Sequence, residues 1–256
     1  MISLSVQGVK VVRLSLDGSA EQRDDVVARD LAVCLFVNDE PYRTFIASPG
    51  MVEELAWGHM FTEGLIGSTD EVEGMTVSPT RVDVTLKKHV DIQTMNMGRS
   101  TLLTTACGSS SRIQAEEVKQ SKAKGARRVD PALIHNIIRA LNEMSALFRE
   151  TGGTHSALLY KEGEGVVAFS EDVGRHNALD KVIGAAIMQR VNLGECILAS
   201  SGRLAGEMVL KAVKAGIPTI CSVSAPLHSG IVIAEAAGVT LIGFVRGRRM
   251  NQYTCL

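Results

Sequence analysis

The amino-acid sequence predicts an α/β protein with a larger C-terminal α/β domain and a smaller N-terminal α+β domain. From about residue 155 onward, unbroken apolar strand-like runs alternate with helical patterns, whereas the first third combines alternating strands with one helix. Between them, from about 90 to 129, the periodicity disappears. We therefore assign residues 1–129 to the first domain and 130–256 to the second; 256 residues suffice for both.

The N-terminal domain is predicted to be strands followed by a helix. Residues 1–16 and 28–47 alternate polar with apolar side chains, and the turn N-D-E-P joins A-V-C-L-F-V to Y-R-T-F-I-A. Ser48 and Pro49 predict the start of a helix, because serine is a favoured N-cap and proline suits the first helical position. Gly64 and Gly67 mark the expected end of this helix, and two further short strands are expected at 73–78 and 81–86.

The C-terminal domain is predicted to alternate strands and helices. Asp130 and Pro131 begin a helix that carries one apolar face as far as Phe148. Further strands are expected at H-S-A-L-L-Y, V-V-A-F-S, C-I-L-A-S, P-T-I-C-S-V and, as the last, V-T-L-I-G-F-V, with helices at about 175–190, 204–215 and 226–237. Apolar strands that alternate with helices predict a parallel sheet covered on both faces.

Composition excludes several classes of protein. The formal net charge is -1, so no global field attracts nucleic acid or a membrane. The N-terminus lacks the apolar run of a signal peptide, and the longest apolar region, 230–245, is interrupted by Glu235. We expect a soluble, cytoplasmic protein.

Cysteine usage singles out one thiol. The five cysteines are widely spaced with no C-x-x-C, which argues against a zinc ribbon or a disulfide scaffold, and no H-x-E or other metal-binding spacing occurs. Cys34, Cys196 and Cys221 lie in apolar runs and are expected in the core. Cys107 lies in T-T-A-C-G-S-S-S-R, among small side chains, and is the candidate reactive thiol.

Arginine, serine and glycine come after several strands of the C-terminal domain. In open α/β sheets ligands bind at the carboxyl ends of strands, where helix starts favour anions. The residues placed there are His155, Arg175, His176, Ser201, Gly202, Arg203, Ser224, Ser229, Arg246, Arg248 and Arg249. Arginine pairs bidentately with phosphate, so the pattern predicts a site for a phosphorylated or nucleotide-bearing ligand. Taken singly, these pieces are also compatible with helix caps or a solvated tail.

A basic run, K-Q-S-K-A-K-G-A-R-R at 119–128, comes after the cysteine segment. It is compatible with a solvated linker or with a docking strip for an acidic partner surface.

Several segments together resemble the FdhD family, the sulfurtransferase accessory proteins required for active formate dehydrogenase. The segments are V-N-D-E-P, L-A-W-G-H-M-F-T-E-G-L-I, A-C-G-S-S, G-T-H-S-A, E-D-V-G-R-H-N-A-L-D-K, S-S-G-R, E-M-V-L-K-A, S-A-P and G-F-V-R. The eleven-residue block E-D-V-G-R-H-N-A-L-D-K, at 171–181, is the most specific of them.

The resemblance implies a sulfurtransferase that takes persulfide sulfur from a cysteine desulfurase and passes it to the molybdenum bis(molybdopterin guanine dinucleotide) cofactor. It also implies a cytidine-deaminase-like α/β/α fold without zinc in the C-terminal domain, and it leaves a homodimer open. By this resemblance Cys107 carries the persulfide, and the cofactor-binding stretch is Phe244, Val245, Arg246, Gly247, Arg248 and Arg249. Many members carry C-G-x-C-G; here Ser110 replaces the second cysteine, so we expect Cys107 to act alone.

Two alternatives remain open at this point. One is a non-catalytic chaperone of the molybdenum cofactor, in which Cys107 is incidental. The other is a metal-independent hydrolase acting on nucleotides, with Cys107 as nucleophile and His155 or His176 as base. The resemblance favours sulfur transfer over both.

Overall fold

The computed structural model describes residues 2–88, 90 and 129–256, so Cys107 and the basic run 119–128 lie outside the described residues. The helices are α1 (Ile2–Ser5), α2 (Val52–Glu63), α3 (Pro131–Met144), α4 (Ala146–Thr151), α5 (Arg175–Met188), α6 (Gly206–Lys214) and α7 (His228–Ala237). The strands are β1 (Val6–Leu14), β2 (Ala20–Ala28), β3 (Leu31–Val37), β4 (Glu40–Ala47), β5 (Val72–Ser78), β6 (Arg81–Leu86), β7 (His155–Lys161), β8 (Gly165–Asp172), β9 (Cys196–Ser200), β10 (Thr219–Ser222), β11 (Thr240–Arg246) and β12 (Arg249–Gln252). The α/β class is confirmed.

The N-terminal half contains a four-stranded sheet in the order β4-β3-β6-β5, with α2 packed on it around a core of its own. Asn38 and Asp39 form the β3–β4 turn with φ of 50° and 66°, as a two-residue hairpin turn requires. A separate hairpin joins β1 to β2. Strand β2 was not predicted, because A-E-Q-R-D-D-V-V-A is mostly exposed and lacks an apolar alternation.

The predicted start of α2 is wrong. The helix begins at Val52, and its N-cap residue is Met51 with φ 52°, not Ser48. Ser48 instead bonds to the C-terminal half: its N–H donates to Asp172 at 3.0 Å, its hydroxyl accepts from Val173 N–H at 3.1 Å and its carbonyl accepts from Lys181 at 3.0 Å. The predicted end is confirmed, since Gly64 caps the helix with φ 78°.

The C-terminal half contains a six-stranded sheet in the order β12-β11-β10-β9-β7-β8. Strands β9, β10 and β11 are parallel, but β7 lies antiparallel between β8 and β9 because the β7–β8 connection is a tight hairpin. The parallel sheet predicted from the alternation is confirmed for β9, β10 and β11 but not for the whole sheet, which is mixed. V-T-L-I-G-F-V is not the last strand either, because Gly247, with φ 57°, turns the chain back into β12.

Helices cover both faces of this sheet. Alternate strand residues divide between two cores: Leu159 and Leu198 pack with α5, α6 and α7, whereas Leu158 and Ala199 pack with α3. The α/β/α layering is as predicted, while the specific likeness to cytidine deaminases and the boundary at 129/130 stay predictions. Within the described ranges, no helix is long and apolar enough to cross a bilayer.

Helices α2 and α5 join the two halves at a very close crossing. A Cβ atom placed on Gly58 would lie 1.7 Å from the carbonyl oxygen of Asp180, and one on Gly184 would lie 1.9 Å from that of Glu54. Only glycine fits at either position, because an alanine at this backbone separation would overlap the other helix.

A buried ionic network surrounds this crossing. The Asp180 carboxylate accepts hydrogen bonds from Lys211 Nζ at 2.9 and 3.1 Å and from the Thr62 hydroxyl at 2.9 Å, and it lies 3.1 Å from His59 Nδ1. Glu63 pairs with the same lysine at 3.0 Å. Attraction to Lys211 holds the pKa of Asp180 low against its burial, and the neighbouring carboxylates raise the pKa of Lys211. The network therefore holds α2, α5 and α6 together through paired buried charges.

Candidate functional site at the carboxyl edge of the C-terminal sheet

His155 and Ser201 form a pair at the carboxyl end of β9. The first residue of β7 lies beside this end because β7 runs antiparallel to β9. His155 Nδ1 lies 3.3 Å from the Ser201 hydroxyl, which also accepts the Ser156 N–H at 2.9 Å. Burial, and then the positive charges of Arg175 and Arg203, lower the pKa of His155. A neutral imidazole can accept the serine proton at Nδ1 and keep its Nε2–H for a ligand.

Arg175 packs on the glycine of the S-G-R segment. A Cβ on Gly202 would lie 2.9 Å from Arg175 Cδ, so the absence of a side chain lets the arginine lie over this loop. Two hydrogen bonds to strand-end serines fix the loop: Gly202 N–H donates to Ser200 Oγ at 3.1 Å, and the Gly202 carbonyl accepts from Ser222 Oγ at 2.7 Å. We call the group formed by His155, Arg175, Ser201, Gly202 and Arg203 the serine–arginine cluster.

A bulge in β11 positions the second group of predicted residues. The pairing with β12 shifts between Gly243 and Arg246, and Phe244 takes a left-handed φ of 53° while its N–H donates to the Ser224 carbonyl at 3.0 Å. A left-handed φ costs a non-glycine residue about 1 kcal/mol or more, and bulges of this kind re-aim the following side chains. Arg246 is held after the bulge by a 2.6 Å hydrogen bond from its Nε to the Val223 carbonyl.

An open groove of about 760 Å³ lies between this segment and helix α3; we call it the α3 groove. The predicted residues Val245, Arg246 and Gly247 form one wall, and the other wall includes His135, Arg139, Asn142, Glu143 and Arg149. This second wall was not predicted from the sequence. The available signal was that positions 135, 139 and 142 recur on one polar face of α3, which alone suggests only a solvent-facing surface.

The structure does not bring all predicted residues together. His176 lies four residues before Asp180 on the same helix, next to the buried network, and its Nε2 is buried with no hydrogen-bond partner among the described residues. Burial and the charges of Arg175 and Lys211 lower its pKa to about 4. Arg248 and Arg249 are exposed at the hairpin tip outside the groove lining, and Ser229 accepts a hydrogen bond from Gly206 N–H at the start of α6.

Most of the eleven-residue block is used to hold the two halves together. Asp172 is fully buried and binds Lys181 at 2.7 Å, the N–H groups of Ser48 and Gly174, and the Asn177 amide at 2.9 Å. Its oxygens are thereby occupied, so this carboxylate is not available to orient a histidine as a hydrolase would need.

The described cysteines are poor nucleophiles or lie away from this edge. Burial raises the pKa of Cys196 to about 11 and that of Cys221 to about 12, so both stay protonated thiols at neutral pH. Cys34, predicted in the core, is only half-buried, as is Cys255.

In residues 2–88, 90 and 129–256, no three histidine, cysteine or acidic side chains lie together as a metal site; the expectation that the protein holds no metal stays a prediction.

The fold and the site define an α/β protein with an arginine- and serine-rich edge built on a mixed, doubly covered sheet. The FdhD/NarQ family model matches residues 28–255, and the chain belongs to this family. The recognition from sequence motifs is thereby confirmed.

Full-length relatives agree with this assignment. The chain is 36% identical to "Sulfur carrier protein FdhD" of Sulfolobus acidocaldarius over 98% of its own length and 97% of that protein. It is 33% identical to the protein of the same name from Methanothermobacter thermautotrophicus, with 93% of each chain covered. The crystal structure of a proposed formate dehydrogenase accessory protein from Desulfotalea psychrophila is similar, with a TM-score of 0.79 and 26% identity over 98% of this chain and 97% of that one.

Proposed function

We propose that this protein is a sulfur carrier that takes persulfide sulfur from a cysteine desulfurase onto Cys107 and delivers it to the molybdenum bis(molybdopterin guanine dinucleotide) cofactor for formate dehydrogenase. The observation that carries the proposal is the full-length relationship to proteins named Sulfur carrier protein FdhD. The accessory role toward formate dehydrogenase is supported by the similar crystal structure.

The uptake step is a thiol–persulfide exchange. The Cys107 thiolate attacks the outer sulfur of the desulfurase persulfide, the sulfur–sulfur bond of the donor breaks, and the donor cysteine leaves as a thiolate. The basic run 119–128 is proposed to dock the acidic surface of the desulfurase. Ser110 leaves no second thiol in the C-G-S-S-S segment, so the sulfur stays on Cys107 until delivery.

The proposed cargo is recognised through its guanine nucleotide ends. Two features of the described residues support this: the serine–arginine cluster offers arginine guanidinium groups and a neutral histidine donor, and the β11 bulge holds Arg246 beside an open groove. The serine–arginine cluster and Arg246 both suit phosphate oxygens, which accept bidentate hydrogen bonds from arginine.

Intact-mass analysis tests the carrier function. The protein is incubated with a cysteine desulfurase and cysteine, and we expect a gain of one or more sulfur atoms that dithiothreitol removes. Cys107→Ala should abolish the gain, and it should leave co-expressed formate dehydrogenase inactive. Cys34→Ser and Cys255→Ser are the matched controls, because neither thiol is expected to carry sulfur.

The two alternatives give different results. Undiminished formate dehydrogenase activity with Cys107→Ala would favour a non-catalytic chaperone, and hydrolysis of a nucleotide by the purified protein would favour the hydrolase.

Calorimetry with GDP tests the ligand: Arg246→Ala combined with Arg249→Ala should weaken binding, and unchanged affinity would remove the R-G-R-R segment from the site.

A further inference from the structure

Helix α4 begins without the usual side-chain cap. The hydroxyl of its N-cap residue, Ser145, donates to the Leu141 carbonyl at 2.6 Å and lies 2.6 Å from the Ser156 hydroxyl, so it does not cap the helix. The first N–H groups of a helix have no partner within the helix, and α4 therefore needs an acceptor from another element. Glu171, on β8, supplies that acceptor.

The Glu171 carboxylate caps α4 and also binds the chain that leads into β7. One oxygen accepts the Leu147 N–H at 2.9 Å, and the other accepts the Phe148 N–H at 2.8 Å and the Thr154 hydroxyl at 3.2 Å. A negative charge at a helix start also interacts favourably with the helix dipole. One side chain therefore ties the first turn of α4 to Thr154, which directly precedes His155.

The residue after His155 is fixed as well. The Ser156 N–H donates to Ser201 Oγ at 2.9 Å, and the Ser201 N–H donates back to the Ser156 carbonyl at 3.0 Å. Thr154 and Ser156 are both buried, so hydrogen bonds hold the chain on each side of the histidine. The imidazole consequently has a defined place, with Nδ1 lying 3.3 Å from the Ser201 hydroxyl.

We propose that Glu171 is a positioning residue for His155: by holding α4 and Thr154 together, it keeps the imidazole against Ser201 with the Nε2–H available to a ligand. Glu171 acts through the backbone that leads into His155. The inference rests on the proposed function only for the identity of the ligand, because the position of the imidazole can be measured without one.

The pKa of His155 reports where its ring lies. Burial, and then the charges of Arg175 and Arg203, lower this pKa against the opposing charge of Asp172. If the ring leaves this place, its pKa should rise toward the ordinary value of 6.5. Removal of a nearby negative charge has the opposite effect, because it destabilises the imidazolium. Glu171→Gln therefore distinguishes a positioning role from a purely electrostatic one by the sign of the change.

NMR titration of the full chain provides the measurement. The chain has six histidines, and the resonance that is missing from His155→Ala identifies His155. We expect Glu171→Gln to raise the pKa of His155. Thr154→Val removes one hydroxyl and no charge, and it should raise the same pKa by a smaller amount. Glu162→Gln, in the exposed β7–β8 turn, is the matched control and should leave this pKa unchanged.

The two variants also keep the test decisive if one of them fails to fold. An unchanged or lowered pKa of His155 in Glu171→Gln, with an unchanged value in Thr154→Val, would overturn the proposal and leave Glu171 as a cap of α4 alone. If Glu171→Gln does not fold, the titration of Thr154→Val decides the question, because the cap of α4 stays intact in that variant.

Calorimetry with GDP tests the consequence for the ligand. His155→Ala should weaken binding about 10-fold or more, because a hydrogen bond to a charged phosphate is lost. Glu171→Gln should weaken binding too, and the double variant should bind no more weakly than His155→Ala, since both changes act on one contact. Fully additive losses would contradict the positioning role. If the wild-type protein binds no GDP, the proposed guanine-nucleotide ligand is wrong, while the histidine titration still decides the role of Glu171.

Discussion

Replacing Gly58 by alanine tests whether the α2–α5 crossing holds the two halves together. The added Cβ would lie 1.7 Å from the Asp180 carbonyl oxygen, and contacts below 3.0 Å are not tolerated between these atoms. The helices must therefore separate by about 1.3 Å. Because Thr62 of α2 donates to the Asp180 carboxylate at 2.9 Å and His59 of α2 lies 3.1 Å from it, a shift of this size along the same direction takes both contacts beyond hydrogen-bonding distance.

The expected loss of stability combines these two effects. Overpacking costs about 1–3 kcal/mol, and each lost hydrogen bond to the charged Asp180 costs about 1.5–3 kcal/mol. The better helix propensity of alanine offsets only about 1 kcal/mol. A net loss of about 4 kcal/mol would lower the melting temperature of a chain of this size by about 8–16 °C.

Differential scanning calorimetry provides the measurement. Gly184→Ala, on the other side of the crossing, should give a loss similar to that of Gly58→Ala. Gly74→Ala is the control, because it lies on an exposed strand with no atom within 4 Å of the added Cβ. A Gly58→Ala protein that melts within about 2 °C of wild type would refute the idea that this crossing is fixed.

Three further predictions concern the buried charges and the β11–β12 turn. The pKa of His176 falls from 6.5 to about 4 on folding, so the unfolded chain binds a proton at this histidine at a higher pH than the folded chain does. The free energy of unfolding should therefore decline by about 3 kcal/mol as the pH falls from 7 to 4. Urea titrations should show a flatter decline for His176→Gln, and unchanged slopes would contradict the assignment. Lys211→Met should lower the free energy of unfolding, measured in urea, by about 3–5 kcal/mol, because it leaves Asp180 buried without its cation. The double variant with Asp180→Asn should recover part of this loss, and strictly additive losses would argue against the ion pair. Gly247→Ala should cost about 1 kcal/mol, measured in the same way, because φ there is 57°; a neutral result would mean that the turn relaxes.

Elements with a strong local signal were predictable from sequence. Asp130 and Pro131 begin α3, and the side chain of Asp130 accepts the Ala132 N–H at 2.9 Å. The two runs H-S-A-L-L-Y and V-V-A-F-S, both predicted as strands, form β7 and β8 and pair around the K-E-G-E-G turn. The β1–β2 hairpin was only half predicted, because β2 buries too little surface to need an apolar pattern. The sheet is mixed rather than parallel because strand order depends on tertiary packing, which a repeating strand–helix pattern does not reveal.

The candidate site was predictable only in part, for a similar reason. The residues just after each predicted strand included Ser201, Gly202 and Arg246, and these share a region because all parallel strands end at one edge. The α3 wall could not be located in this way, since Arg139 looks like any charged residue on the solvent side of an amphipathic helix. Only the packing of α3 beside β11 places Arg139 in the lining of the same groove as Arg246.

The same packing changes how the most specific sequence block should be interpreted. E-D-V-G-R-H-N-A-L-D-K carries the strongest family resemblance, yet Asp172 and Asp180 within it are buried and pair with Lys181, Lys211 and neighbouring N–H groups. A substitution there would impair function by loosening the two halves, whether or not it touches a ligand. Loss of function in this block therefore identifies a ligand contact only when the melting temperature is unchanged. Arg139 and Arg246 are exposed and lie outside the buried network, so we expect substitutions there to change the melting temperature little and to probe the site more directly.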